Sequence, residues 1–69
     1  MPALGSYAVD GRDGRVGRVV GHEGPSVQLR PPGGGRPWNC PPYLLRAAPP
    51  AAVLAARVRE LNWESRMMP

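Results

Sequence analysis

The chain has a single cysteine, Cys40, so no disulfide can form within it and the stapled scaffold of small secreted domains is excluded. It has a single histidine, His22, and no cysteine–histidine cluster with the spacing of a metal site. Lysine is absent, all nine basic residues being arginine. The longest apolar run, Ala47 to Ala56, is about half the length of a membrane-spanning helix, and Pro49 and Pro50 interrupt it. Met1-Pro2-Ala3-Leu4-Gly5 lacks the basic start and apolar core of a secretory signal. These absences predict a cytoplasmic protein with no cofactor, no metal and no membrane span.

A chain of 69 residues makes at most one domain, with a modest core. Without disulfide or metal, its stability must come from close packing, self-association or both. The formal charge is +4 and the isoelectric point about 10.7, which fits a nucleic-acid partner. The same arginine, glycine, proline and alanine richness is also expected of a GC-rich genome. Asp10, Asp13 and Glu23 interleave with the arginines. A solvated surface and a functional basic face both fit this pattern.

The first 48 residues read as short strands cut by turns. Ser6–Val9 is β-prone and ends at Asp10-Gly11-Arg12-Asp13-Gly14, whose paired Asp and Gly supply side-chain capping and positive φ. Arg15–Gly21 is a second strand, with Gly17 expected to bulge so that Val16 and Val19 both face inward. His22-Glu23-Gly24-Pro25 reads as a turn. Ser26–Arg30 alternates cleanly, with Val27 and Leu29 on one face. After the Pro31–Gly35 loop, Arg36–Cys40 forms a strand with Trp38 and Cys40 on one face. Pro41–Leu45 fits a 3₁₀ turn, and Arg46–Ala48 a brief last strand.

From Ala51 the period becomes helical, with Pro49-Pro50 tolerated at the start. Ala51, Leu54, Val58 and Leu61 share a stripe, with Ala55 beside it, and this stripe is expected to dock on the strands. Arg57, Arg59, Glu60 and Glu64 are expected to cover the rest. The helix is expected to end near Ser65, with Arg66–Pro69 a tail. The fold class is therefore mostly β: a small five-stranded Src-homology-type barrel over residues 1–48, then one C-terminal α-helix and tail over 49–69.

Gly14-Arg15-Val16-Gly17-Arg18-Val19-Val20, a turn and Val27-Gln28-Leu29-Arg30 resemble the KOW motif of ribosomal proteins and transcription elongation factors. That resemblance implies a strand, turn and strand of a barrel. Cys40-Pro41-Pro42-Tyr43-Leu44-Leu45 resembles the 3₁₀ turn and last strand of Src-homology-type barrels, which implies a proline and a tyrosine lining a peptide groove. The block Gly14–Ala48 resembles small proteins of Streptomyces and related actinobacteria. Its marks are a Gly-His-Glu-Gly-Pro turn, a Val-Gln-Leu-Arg-Pro strand, a Gly-Gly-Gly loop and a tryptophan; no particular activity is implied.

Nucleophilic catalysis needs a nucleophile held against an oriented base. Here Cys40 falls in a strand and His22 in a turn, so an apolar buried thiol and an exposed histidine are expected, and the chain reads as no enzyme. Pro32-Gly33-Gly34-Gly35-Arg36 reads as a flexible hairpin connection; its glycine amides also offer a place for an anion, without the Gly-Lys-Ser/Thr ending of a phosphate-binding loop. Tyr7, Trp38 and Tyr43 are the aromatics of the strand region. Trp38 is expected in the core; Tyr7 and Tyr43, if they flank one edge, form a groove for a proline-rich peptide. They equally offer a stacking surface for bases beside Arg18, Arg30 and Arg36.

Trp63 falls with Ala52, Ala56 and Arg59, away from the Leu54 stripe and one turn from Met67. It reads as a partner contact, as a mark of a helix sandwiched between two surfaces, or as a tryptophan stacked on Arg59. The residues expected to bind a partner protein are thus Tyr7, Trp38, Tyr43, Arg59, Trp63 and Met67, with a homodimer through the helix as a further expectation. Arg15, Arg18, Arg30 and Arg36 are the expected contacts of the alternative, a nucleic-acid-associated regulatory module. An accessory subunit of a larger enzyme is the third reading.

Overall fold

The structure is a computed structural model that describes residues 3–67. Its elements are β1 (Tyr7–Asp10), β2 (Val16–Glu23), β3 (Ser26–Arg30), β4 (Trp38–Cys40), a 3₁₀ turn (Pro42–Leu44), β5 (Leu45–Ala47) and α1 (Pro50–Met67). The strands form one antiparallel sheet in the order β4-β3-β2-β1-β5. The protein is mostly β with one C-terminal helix. The ladders leave β4 and β5 as the sheet's edges, so among the described residues no strand pairing closes the sheet into the expected barrel.

Alternation along each strand separates two faces. Ala8, Val19, Val27, Leu29 and Cys40 are fully buried on the inner face, where Trp38, Leu44 and Leu45 pack against them. Tyr7, Val9, Val16, Arg18, Gln28 and Arg30 are half-buried on the other. Pairing of Tyr7 with Arg18, and of Arg18 with Arg30, sets these three in a row across β1, β2 and β3.

The expectation for Gly17 is corrected. The register shift lies between Val19 and Gly21 instead, and Val16 faces outward. Gly17 is buried opposite Ala8 because the Trp38 ring lies on it. A Cβ there would stand 2.8 Å from that ring and 3.1 Å from the Arg30 carbonyl oxygen. His22 and Glu23 also belong to β2 rather than to a turn; the turn shrinks to Gly24-Pro25, with Gly24 at φ +57°.

Trp38 is held on its other sides as well. Its Nε1–H donates to Asp10 Oδ2 at 2.9 Å, and the Arg15 guanidinium lies 3.9 Å from its ring centroid. Asp10, 1% exposed, also accepts from the Arg12 backbone N–H and from Arg12 Nε and Nη2. Arg12 Nη2 donates onward to the Asn39 carbonyl. One carboxylate thus closes the β1–β2 turn and ties it to β4, across the curl of the sheet. The Arg12 guanidinium and backbone hold the Asp10 carboxyl well below the usual carboxylate range, against the opposing effect of burial.

α1 runs to Met67, beyond the expected end near Ser65. No breaker intervenes before Pro69, and Arg66 complements the negative end of the helix dipole. Its first hydrogen bond runs from Val53 N–H to the Pro49 carbonyl, so Pro50 occupies the position where a missing N–H costs nothing. Met68 and Pro69 of the expected tail lie outside the described residues. No helix among the described residues is long and apolar enough to cross a membrane.

Two outcomes follow for stability. Gly17→Ala should cost about 1–3 kcal/mol, because neither the Trp38 ring nor the Arg30 carbonyl can retreat freely; a thermal melt matching the wild type would contradict this packing. The Asp10 contribution should be complete at neutral pH and fade as pH falls through its ordinary value of 3.8. Below that point the unfolded chain takes up the proton before the folded one does. Melting temperature plotted against pH should therefore show a steeper acid limb for the wild type than for Asp10→Asn.

Candidate functional site

The helix is seated by its small side. Ala56 and Glu60 are buried and Ala52, Val53 and Trp63 half-buried, while Leu54, Val58 and Leu61 are exposed by 66%, 50% and 55%. This reverses the expected docking stripe. The physical reason lies beneath the helix, where the outer sheet face presents the Tyr7–Arg18–Arg30 row. A leucine stripe there would bury guanidinium groups without an acceptor, at high desolvation cost. Glu60 supplies that acceptor, and Ala52 and Ala56 let the backbone come close.

Glu60 is 5% exposed. Its Oε1 accepts from the Tyr7 hydroxyl at 2.7 Å and from Arg18 Nη2 at 2.6 Å. Arg18 Nη2 also donates to the Tyr7 oxygen at 2.7 Å, and its guanidinium carbon lies 4.9 Å from the Tyr7 ring centroid. Arg30 Nη2 approaches Glu60 Oε2 at 3.7 Å, an ion-pair separation outside hydrogen-bond range. The hydrogen bond from Arg18 to Tyr7, then the charge of Glu60, hold the Arg18 guanidinium above its usual range. Glu60 was expected on the solvent side. Its spacing of four from Ala56 and three from Trp63 marks it as part of the small face.

Of the four arginines expected at a nucleic acid, Arg18 and Arg30 thus face Glu60, Arg15 covers Trp38, and Arg36 is exposed in the loop after β3. Trp63 is half-buried on the Gly33–Gly34 loop. Its indole stands where a Gly34 Cβ would be, and Arg59 lies over Gly33. The cation–π pairs among the described residues are Arg15–Trp38 and Arg18–Tyr7, not Arg59–Trp63. The Gly33–Gly34 stretch of the loop thus lies against Arg59 and Trp63 of the helix. Met67 is helical, and its side chain lies outside the described residues.

Tyr7 and Tyr43 do flank one edge. Both line a largely apolar groove of about 780 Å³, with Ala3, Ser6, Pro42, Leu45, Ala47 and Ala48 completing the wall. Tyr7 is immobilised from behind by Glu60 and Arg18. Tyr43, on the 3₁₀ turn, is 84% exposed, its turn set by Pro42 and by the Leu44 N–H to Pro41 carbonyl hydrogen bond. β5, an edge strand, contributes Leu45 and Ala47 to it. Among the described residues, no acidic side chain lines this groove.

The Cys40 thiol is buried in the core, donates to the Pro41 carbonyl at 3.5 Å, and is pushed up by burial and by the Asp10 charge. His22 is exposed on β2. No group of three or more histidine, cysteine or acidic side chains able to hold a metal occurs among the described residues.

Glu60→Ala should destabilise the protein by about 2 kcal/mol, the usual cost of a broken buried ion pair reduced for the partial exposure of Arg18 and Arg30. Amide exchange should accelerate in α1 before it does in β2 and β3; equal acceleration throughout would show that Glu60 does not seat the helix.

The chain matches no protein-family model, no curated protein and no solved structure.

Proposed function

We propose that this protein is a non-enzymatic interaction module that holds an extended, proline-containing segment of a partner protein between Tyr7 and Tyr43. The observation that carries this reading is the groove itself. An aromatic as exposed as Tyr43 faces a second aromatic that a buried ion pair keeps in place. Proline-rich segments suit such a surface because they are pre-extended and lose little entropy on docking. Tyrosines contribute flat apolar area with a polar end at low entropic cost. The net charge of +4 and the lack of acidic lining favour an uncharged or acidic segment over a basic one.

A nucleic acid is the weaker ligand, since two of the four arginines that would meet it, Arg18 and Arg30, face the buried Glu60 carboxylate. Binding of a panel of short proline-rich peptides, followed by backbone amide shifts, should perturb Ser6, Tyr7 and Tyr43–Ala48 and persist at high salt. Tyr43→Ala should abolish it without moving the melting temperature, because the side chain contributes little to the fold. Peptide binding unaffected by that substitution would eliminate the groove, as would saturable binding of a single-stranded oligonucleotide that weakens steeply with salt and survives Tyr43→Ala.

A further inference from the structure

The seating of α1 on its small side leaves the outward face unexplained. Ala51, Leu54, Val58, Leu61 and Ser65 are spaced by three, four, three and four, the repeat of a coiled-coil seam. All five are exposed on the side of α1 turned away from the sheet. An a/d seam is a pattern for packing helix against helix, and a stripe of this size in solvent marks an interaction surface.

The charges beside the seam identify its occupant. Arg57 and Glu64 stand in the g positions; Ala55 and Asn62 stand in the e positions. Arg57 and Glu64 are two turns apart, too far to pair with each other along the helix, and the ion pairs found among the described residues involve neither. In a parallel pair of these helices, the charged g position faces the uncharged Asn62 of the other. In an antiparallel pair, g faces g: Arg57 meets Glu64 of the second copy, and Glu64 meets Arg57, while Val58 packs on Leu61 in both directions. The seam complements itself in that orientation.

We propose that this chain forms an antiparallel homodimer through α1, with Leu54, Val58 and Leu61 as its core and two symmetric Arg57–Glu64 pairs at its rim. The contact is isologous and closed, as two-fold dimers are. The apolar patch is small, which places the contact among weak, transient interfaces. This interface is separate from the Tyr7–Tyr43 groove.

Sedimentation velocity from about 1 to about 100 µM, with the full chain, tests it. The wild type should pass from monomer to dimer over that range. Leu61→Glu should remain folded by circular dichroism, its side chain being exposed, and should weaken the dimer at least about hundredfold, a charge being buried there without a partner. Arg57→Glu or Glu64→Arg should each weaken it about tenfold, and the double variant should restore wild-type affinity. Tyr43→Ala should dimerise normally. A wild type that stays monomeric at every concentration overturns the proposal, as does a Leu61→Glu variant that dimerises unchanged. A double variant no better than either single overturns the antiparallel alignment.

Discussion

Glu60 is the charge around which the two parts of the molecule are assembled. A helix laid on the outer face of the sheet must cover the Tyr7–Arg18–Arg30 row, and guanidinium groups removed from water without an acceptor would cost more than the helix recovers. One carboxylate meets all three groups, through hydrogen bonds from Tyr7 and Arg18 and an ion pair to Arg30. The helix therefore turns its alanines and Glu60 inward and its leucines outward. The same contact immobilises Tyr7, so the fixed wall of the groove depends on the docking of a helix far away in sequence.

Asp10 plays the equivalent part within the sheet. A core built from Ala8, Val19, Val27, Leu29 and Cys40 is small even for a chain of this length, and it has neither disulfide nor metal to support it. The Asp10 carboxylate gathers Arg12 and Trp38, and through Arg12 it reaches the β4 backbone. Trp38 then lies across Gly17 beneath Arg15. Two buried acids, each answered by arginine and an aromatic donor, do much of what additional apolar area would do in a larger domain. This arrangement also turns Arg18 and Arg30 toward Glu60.

Much of the architecture was legible in the residues. The alternation of Val27 and Leu29, the Asp/Gly turn after β1, the 3₁₀ turn at Pro42–Leu44 and the helical period after Pro50 each rest on local chemistry. These elements stand where that chemistry puts them, to within a few residues. The Tyr7–Tyr43 edge was legible only as a condition, since the two residues are far apart in the chain and are brought together by the pairing of β1 with β5. Gly17 was misread because a glycine inside a strand marks either a bulge or a close approach. Only the position of Trp38, on a distant strand, distinguishes the two.

Local periodicity determined which residues form strands and helix, and which helix residues share a face; those properties depend on neighbours a few positions away. Which helix face turns inward could not follow from periodicity, because apolar area alone favours the Leu54–Val58–Leu61 side. The tertiary structure decided it the other way, since the surface that receives the helix carries two arginines and a tyrosine hydroxyl. Those groups need an acceptor where a helix covers them, and Glu60 stands on the other face of the helix.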